Sequence, residues 1–125
     1  MRFGSLLVAA LAPLVVADWM ETTWYCDADL FRVCGPTELG PYHHFHTTYG
    51  TYELASIYDG CHGTSVPGMT ELCIDWNNNR AHFKFSHQTS KRCLRKNAAG
   101  TRFDDNSCPY AECWRDVWDE VTCTW

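Results

Sequence analysis

The sequence predicts an α+β fold: a small antiparallel sheet of four or five strands and one C-terminal helix, stapled by four disulfides. Three observations carry this. Leu72 to Lys96 (LCIDWNNNRAHFKFSHQTSKRCLRK) alternates with period 2 on both sides of an asparagine cluster, as a β-hairpin does. Trp114, Val117, Trp118 and Val121 fall at i, i+3, i+4 and i+7, the stripe of an amphipathic helix. Eight cysteines (Cys26, Cys34, Cys61, Cys73, Cys93, Cys108, Cys113 and Cys123) lie in a chain of 125 residues. An all-β fold is the alternative.

The elements follow in order. Arg2 and the apolar run Leu6 to Val16, with small residues at Val15 and Ala17, read as a secretory signal peptide over residues 1–17. The run is too short for a membrane anchor. The mature part, 18–125, is one disulfide-rich domain. Asp18 to Tyr25 is aromatic and Thr-rich, a strand pinned by Cys26. Asp27 to Cys34 suits one or two helical turns, stopped by Gly35 and Pro36. Glu38 to Pro41 is a turn. Tyr42 to Tyr58 is a strand or hairpin with a bend at Gly50. Asp59 to Thr70 is loop, with Gly60, Gly63, Pro67 and Gly68 close together. The hairpin follows, turning at Asn77, Asn78 and Asn79, which tolerate left-handed backbone. Asn97 to Ser107 is polar loop. Ser107 can cap and Pro109 can open a helix from Cys108 to Glu120. Val121 to Trp125 is a closing strand.

Composition bounds the function. An even number of cysteines in an exported chain implies disulfides, and eight permit 105 pairings. There is no Cys-x-x-Cys pair, and export means an oxidising compartment, which argues against a zinc–thiolate site. No cofactor is implied. Without Arg2 the chain has nine Lys or Arg against fifteen acids, a net charge of −6, which argues against nonspecific nucleic-acid binding by the whole surface. The charge is segregated. Arg80 to Arg102 holds seven cations and no acid, while the flanks Asp18–Glu38 and Asp104–Glu120 hold five and six acids. One reading lays the acidic ends against the basic middle. The other displays a cationic face, with Arg80, His82 and Lys84 two residues apart on one side of a strand and Lys91, Arg92, Arg95 and Lys96 nearby. Lys91 and Arg92 also form a dibasic pair, with Cys93 directly after it.

His43, His44 and His46 are the densest cluster of imidazoles. His44 and His46 share one strand face, with His43 opposite, and a metal there needs a carboxylate that the local sequence does not supply.

Two resemblances add to this. Trp24-Tyr25-Cys26 resembles the aromatic-x-Cys start of ribonuclease-like secreted fungal proteins, and Pro41-Tyr42-His43-His44-Phe45 followed by Tyr52-Glu53 resembles the histidine strand of secreted guanyl-specific ribonucleases. That family's His, Glu, Arg, His order is matched by His43 or His44, Glu53, Arg80 and His87. The resemblance implies RNA cleavage, with a carboxylate taking the 2′-OH proton, a histidine protonating the leaving oxygen and an arginine steadying the phosphate. The spacings depart from the family's. The whole format is similar to the small cysteine-rich effector or toxin-like proteins secreted by plant-associated filamentous fungi: a leader, about a hundred mature residues, eight cysteines and the ending Cys113-Trp-Arg-Asp-Val-Trp-Asp-Glu-Val-Thr-Cys-Thr-Trp125. It implies an extracellular protein that binds a host or competitor component (protein, polysaccharide or other polyanion) rather than one that catalyses. The expected contact residues are Arg80, His82, Lys84, Lys91, Arg92, Arg95 and Lys96. A secreted ribonuclease-like protein and an antimicrobial toxin are the alternatives.

Overall fold

The computed structural model describes residues 17–26, 34–36, 43–97, 100–103 and 112–125. Ten strands are seen among them: β1 Trp19–Cys26, β2 Cys34–Pro36, β3 His44–Thr47, β4 Gly50–Glu53, β5 Gly60–His62, β6 Met69–Asp75, β7 Arg80–Phe85, β8 Arg92–Lys96, β9 Thr101–Phe103 and β10 Glu112–Val121. They form one antiparallel sheet in the order β4-β3-β1-β10-β8-β7-β6-β5, with β2 also on β1 and β9 also on β10. The sheet is curled. Phe45 on β3 and Phe83 on β7 lie four strand steps apart, about 19 Å in a flat sheet. Their ring centroids are 4.9 Å apart, edge to face. The strands therefore wrap into half a barrel, and the segment after β4 closes the open side with buried Leu54 and Ile57.

Residues paired across a ladder point to the same face, so the registers sort the side chains. Met20 faces Phe45 and Trp118, Ala81 faces Leu94 and Ile74, and Phe83 faces Leu72. All of these are fully or almost fully buried and line the concave side. Full burial of each large apolar side chain contributes about 1.5–3 kcal/mol. The opposite, convex side carries Glu21, His44, His46, Cys73, Arg80, His82, Lys84 and Arg95.

The central hairpin forms as its pattern predicts. Trp76–Asn78 make one turn of 3-10 helix, and Asn79 takes the left-handed conformation at φ 52°. Asp75 closes the turn, accepting from Asn78 Nδ2 at 2.8 Å and from Arg80 Nε at 3.0 Å. We expect Asn79→Ala to cost about 1–2 kcal/mol, because a Cβ without a local hydrogen-bonding group is disfavoured there. Asn79→Gly should cost nothing measurable. Urea unfolding of both variants checks this, and equal stability of the two would refute it.

The α+β expectation is overturned. Residues 112–121 are not a helix but the longest strand, paired to β1 over Trp19–Cys26 and to β8 and β9. The i, i+3, i+4 stripe was coincident with a second pattern, in which Trp114, Asp116, Trp118 and Glu120 alternate onto the concave face. Asp116 and Glu120 hid that alternation because they are charged residues facing inward. Trp and Val also favour strands, and pairing on both edges decides the matter. The alternative, an all-β fold, is what the described residues form.

Fewer disulfides than the expected four join described cysteines to one another. Three bridges, not four, join described cysteines: Cys26–Cys34, Cys61–Cys73 and Cys93–Cys123. Cys113 is itself a bonded cysteine, and Cys108 lies outside the described residues. Two predicted loops contain strands, β5 within Asp59–Thr70 and β9 within Asn97–Ser107. The hairpin expected in Tyr42–Tyr58 is present as β3 and β4, turning at Thr48 and Tyr49. Beyond Val121 the closing strand does not form, and the chain turns back over β8 instead. The expected leader up to Val16, the helical turns at 27–33, the turn at 38–41 and the helix start at 108–111 lie outside the described residues. Among the described residues no helix is long and apolar enough to cross a membrane.

Candidate functional site

The convex face of β7 and β8 displays the cations that the hairpin pattern predicts. Arg80, His82 and Lys84 stand in a row on β7, and Arg95 of β8 lies directly opposite Arg80. The segment after β10 folds across them, fastened by Cys93–Cys123. Its Trp125 ring lies 5.4 Å from the Arg80 guanidinium and 5.3 Å from that of Arg95. Lys91 Nζ donates to the backbone oxygen of Trp125. Arg80, His82, Lys84 and Arg95 each have an acid beside them or directly opposite in the strand register. Arg80 pairs with Asp75 at 3.0 Å, His82 Nε2 lies 3.5 Å from Glu71, Lys84 sits opposite Glu71, and Arg95 sits opposite Asp119. Burial, and secondarily Lys91, hold His82 below the usual imidazole range. The face is a mosaic of both signs around an indole, not a uniformly positive ribbon.

Arg92 and Lys96 belong to the other side. Both turn into the concave face, where β10 and β1 meet them with acids. Arg92 donates to Glu120 at 2.8 Å and to Asp18 at 3.0 Å, and its guanidinium packs 5.0 Å from the Phe83 ring. Lys96 Nζ lies 3.9 Å from Asp116 and over the Trp76 ring. Burial raises the Asp18 and Asp116 carboxyls above the ordinary range, against the pull of Arg92 and Lys96 respectively. Among the described residues, Asp18, Asp116 and Glu120 of the acidic ends lie against Arg92 and Lys96 of the basic middle. A cavity of about 540 Å³ opens beside Lys96 and Asp116, walled by Trp24, Ile57, Tyr58 and Trp76. A second, of about 560 Å³, opens beside Arg92 and includes Tyr52, Phe85 and His87.

The chain matches no protein-family model, no curated protein and no solved structure.

The residues of the ribonuclease reading are placed apart. His43 is buried, and its Nδ1 accepts from the Thr23 backbone N–H at 3.0 Å. That bond fixes one ring nitrogen of a buried imidazole to the β1 backbone. His44 and Glu53 are opposite each other on the convex face of β3 and β4. Arg80 is four strand steps further along the sheet from β3, and His87 lines the concave cavity beside Arg92. His44 and Glu53 are brought together, but Arg80 and His87 do not join them.

His44 and His46 share the outer face, as their spacing predicts. The carboxylate between them is Glu21 of β1, 3.0 Å from His44 Nδ1 and 3.5 Å from His46 Nε2. Arg115 Nε approaches the other oxygen of Glu21 at 3.4 Å, and His46 stacks flat on Trp19. Arg115 supplies the positive charge there that a metal would otherwise bring. Glu21, Asp18, Glu120 and Trp125 carried no local signal, because each meets its partners only where the fold brings together residues at least 23 positions apart in the chain.

Proposed function

We propose that this is an extracellular binding protein of the effector type, acting on a host or competitor protein through the convex face around Trp125. One observation carries the reading: a tryptophan clasped by two arginines, Arg80 and Arg95, on paired strands, with the segment that bears it tied to β8 by Cys93–Cys123. Tryptophan and arginine are the residues most enriched where interfaces concentrate their energy. The interleaved acids Glu71, Asp75 and Asp119 would repel a polyanion, whereas a protein surface of mixed sign can complement them. His82 and Lys84 extend the same face along β7, and Lys91 flanks it. The dispersed His, Glu and Arg favour binding over catalysis.

The test uses labelled protein on intact host or competitor cells. We expect Trp125→Ala to weaken saturable binding about thirtyfold, the scale of a 2 kcal/mol contact. The pair Arg80→Glu and Lys84→Glu should weaken it about tenfold or more, with an unchanged circular dichroism spectrum. Binding retained by both variants, or abolished equally by a soluble polyanion at physiological salt, would remove the proposal. Incubation with RNA separates the enzyme alternative, and no cleavage is expected. Growth inhibition of bacteria or fungi by the pure protein alone would favour the toxin.

A further inference from the structure

Three adjacent strands bring metal-ligating side chains into one line. Cys61 of β5 is directly opposite Cys73 of β6, and Cys73 is directly opposite His82 of β7. Glu71, two residues before Cys73 on the same face, completes the group. One ligand atom from each of the four lies within 4.8 Å of every other. Glu71 Oε1 is 3.0 Å from Cys73 Sγ and 3.5 Å from His82 Nε2. The first of these is a contact and not a hydrogen bond, because a disulfide sulfur carries no proton. Cys61 is exposed, and Glu71 and His82 are partly so, which leaves the group reachable from solvent.

We propose that reduction of Cys61–Cys73 converts this staple into a binding site for a tetrahedral divalent ion of the zinc class, held by Cys61, Cys73, His82 and Glu71. The step balances with a thiol reductant. The S–S bond breaks, two thiols supply two electrons and two protons, and the reductant leaves as its own disulfide. The metal ion then displaces the two protons and takes two thiolates, one imidazole nitrogen and one carboxylate oxygen. Ligand atoms around such an ion stand roughly 3.3–3.8 Å apart, as follows from tetrahedral metal–ligand bonds of about 2.0–2.3 Å. The four atoms already lie inside nearly that span, and opening the disulfide relaxes its sulfurs toward it. Two sulfurs and an imidazole are ligands that zinc prefers over magnesium or calcium. Strand spacing explains why no sequence motif shows the site: its ligands come from three strands, not from a Cys-x-x-Cys turn. In either redox state β5, the edge strand, is fastened to β6.

Cobalt(II) serves as the probe. After reduction with excess thiol, removal of the thiol and exclusion of air, the whole protein is titrated with Co²⁺ and followed by absorption. A saturable thiolate-to-cobalt band with tetrahedral visible bands is expected, displaced by Zn²⁺. The double variant Cys61→Ser, Cys73→Ser retains every other cysteine and should lose the band. His82→Ala should bind at least about tenfold more weakly, since even an indirect supporting residue is worth that much. No uptake by the wild type, an equal band in the double variant, or unchanged affinity in His82→Ala would each overturn the proposal. If reduction unfolds the chain, Zn²⁺ should restore the near-ultraviolet dichroism of the wild type but not of His82→Ala, because metal binding then supplies folding free energy. Failure to restore it would overturn the proposal as well.

Discussion

Trp118→Ala is expected to unfold the protein or to leave it barely stable. Trp118 sits at the middle of β10, paired with Met20 of β1 and Lys96 of β8, and it is fully buried. Its ring meets Trp76 edge to face at 5.1 Å, and its Nε1 donates to Thr22 Oγ1 at 2.9 Å inside the core. Truncation removes the largest buried side chain and leaves a void walled by two strands that cannot both move in. Losses of about 3–5 kcal/mol are usual for such a change, against a total stability on the order of 5–15 kcal/mol for a domain. Trp118→Phe separates packing from the hydrogen bond. It keeps most of the volume but strands the Thr22 hydroxyl, at about 1–3 kcal/mol. Adding Thr22→Val to it should recover part of that loss. Urea titrations of the wild type, Trp118→Phe, Thr22→Val and the double variant give the cycle. A loss below about 1 kcal/mol in Trp118→Ala would mean that the half-barrel does not close on this ring.

The elements that were legible from the sequence are those whose two faces differ cleanly. Leu72, Ile74, Ala81, Phe83 and Phe85 are apolar on one side, with Cys73, Arg80, His82 and Lys84 on the other, so the hairpin and its outward cations could be read directly. His44 and His46 on one face with His43 on the other could be read for the same reason. Segment 112–121 could not. Its inward face carries Asp116 and Glu120 between tryptophans, so a period of 2 is invisible until Lys96 and Arg92 are seen to neutralise them. The same pairing answers the charge segregation. Two of the seven expected contact cations, Arg92 and Lys96, face the concave side, and only three-dimensional pairing could sort them from the rest. Trp125 shows the limit most plainly. Nothing near it in the chain marks it, yet the fold lays it between two arginines from different strands.

Arg92 gives the second large effect. It is the cation at one end of the concave face, bonded to Glu120 through Nε and Nη2 and to Asp18 through Nη1. Its own charge is held more firmly than usual, chiefly by the hydrogen bond to Glu120. Arg92→Met keeps the stem that covers Phe83 but leaves two carboxylates facing each other with no cation between them. Removing one partner of such a buried network costs about 3–5 kcal/mol, and the partial exposure of Arg92 and Glu120 places this case toward the low end. The pH dependence identifies the cause. Burial has already raised the Asp18 carboxyl above 3.8 in the fold, and loss of Arg92 raises it further. A raised carboxyl stabilises the fold below its unfolded value, and that contribution is lost as pH rises through its folded value. The deficit of Arg92→Met relative to wild type should therefore be largest near neutrality and shrink as pH falls toward the ordinary carboxylate value. Asp18→Asn placed in the variant should remove much of the deficit at pH 7. A deficit that is the same at pH 4 and pH 7, or one that Asp18→Asn leaves untouched, would assign the loss to packing over Phe83 instead of to charge.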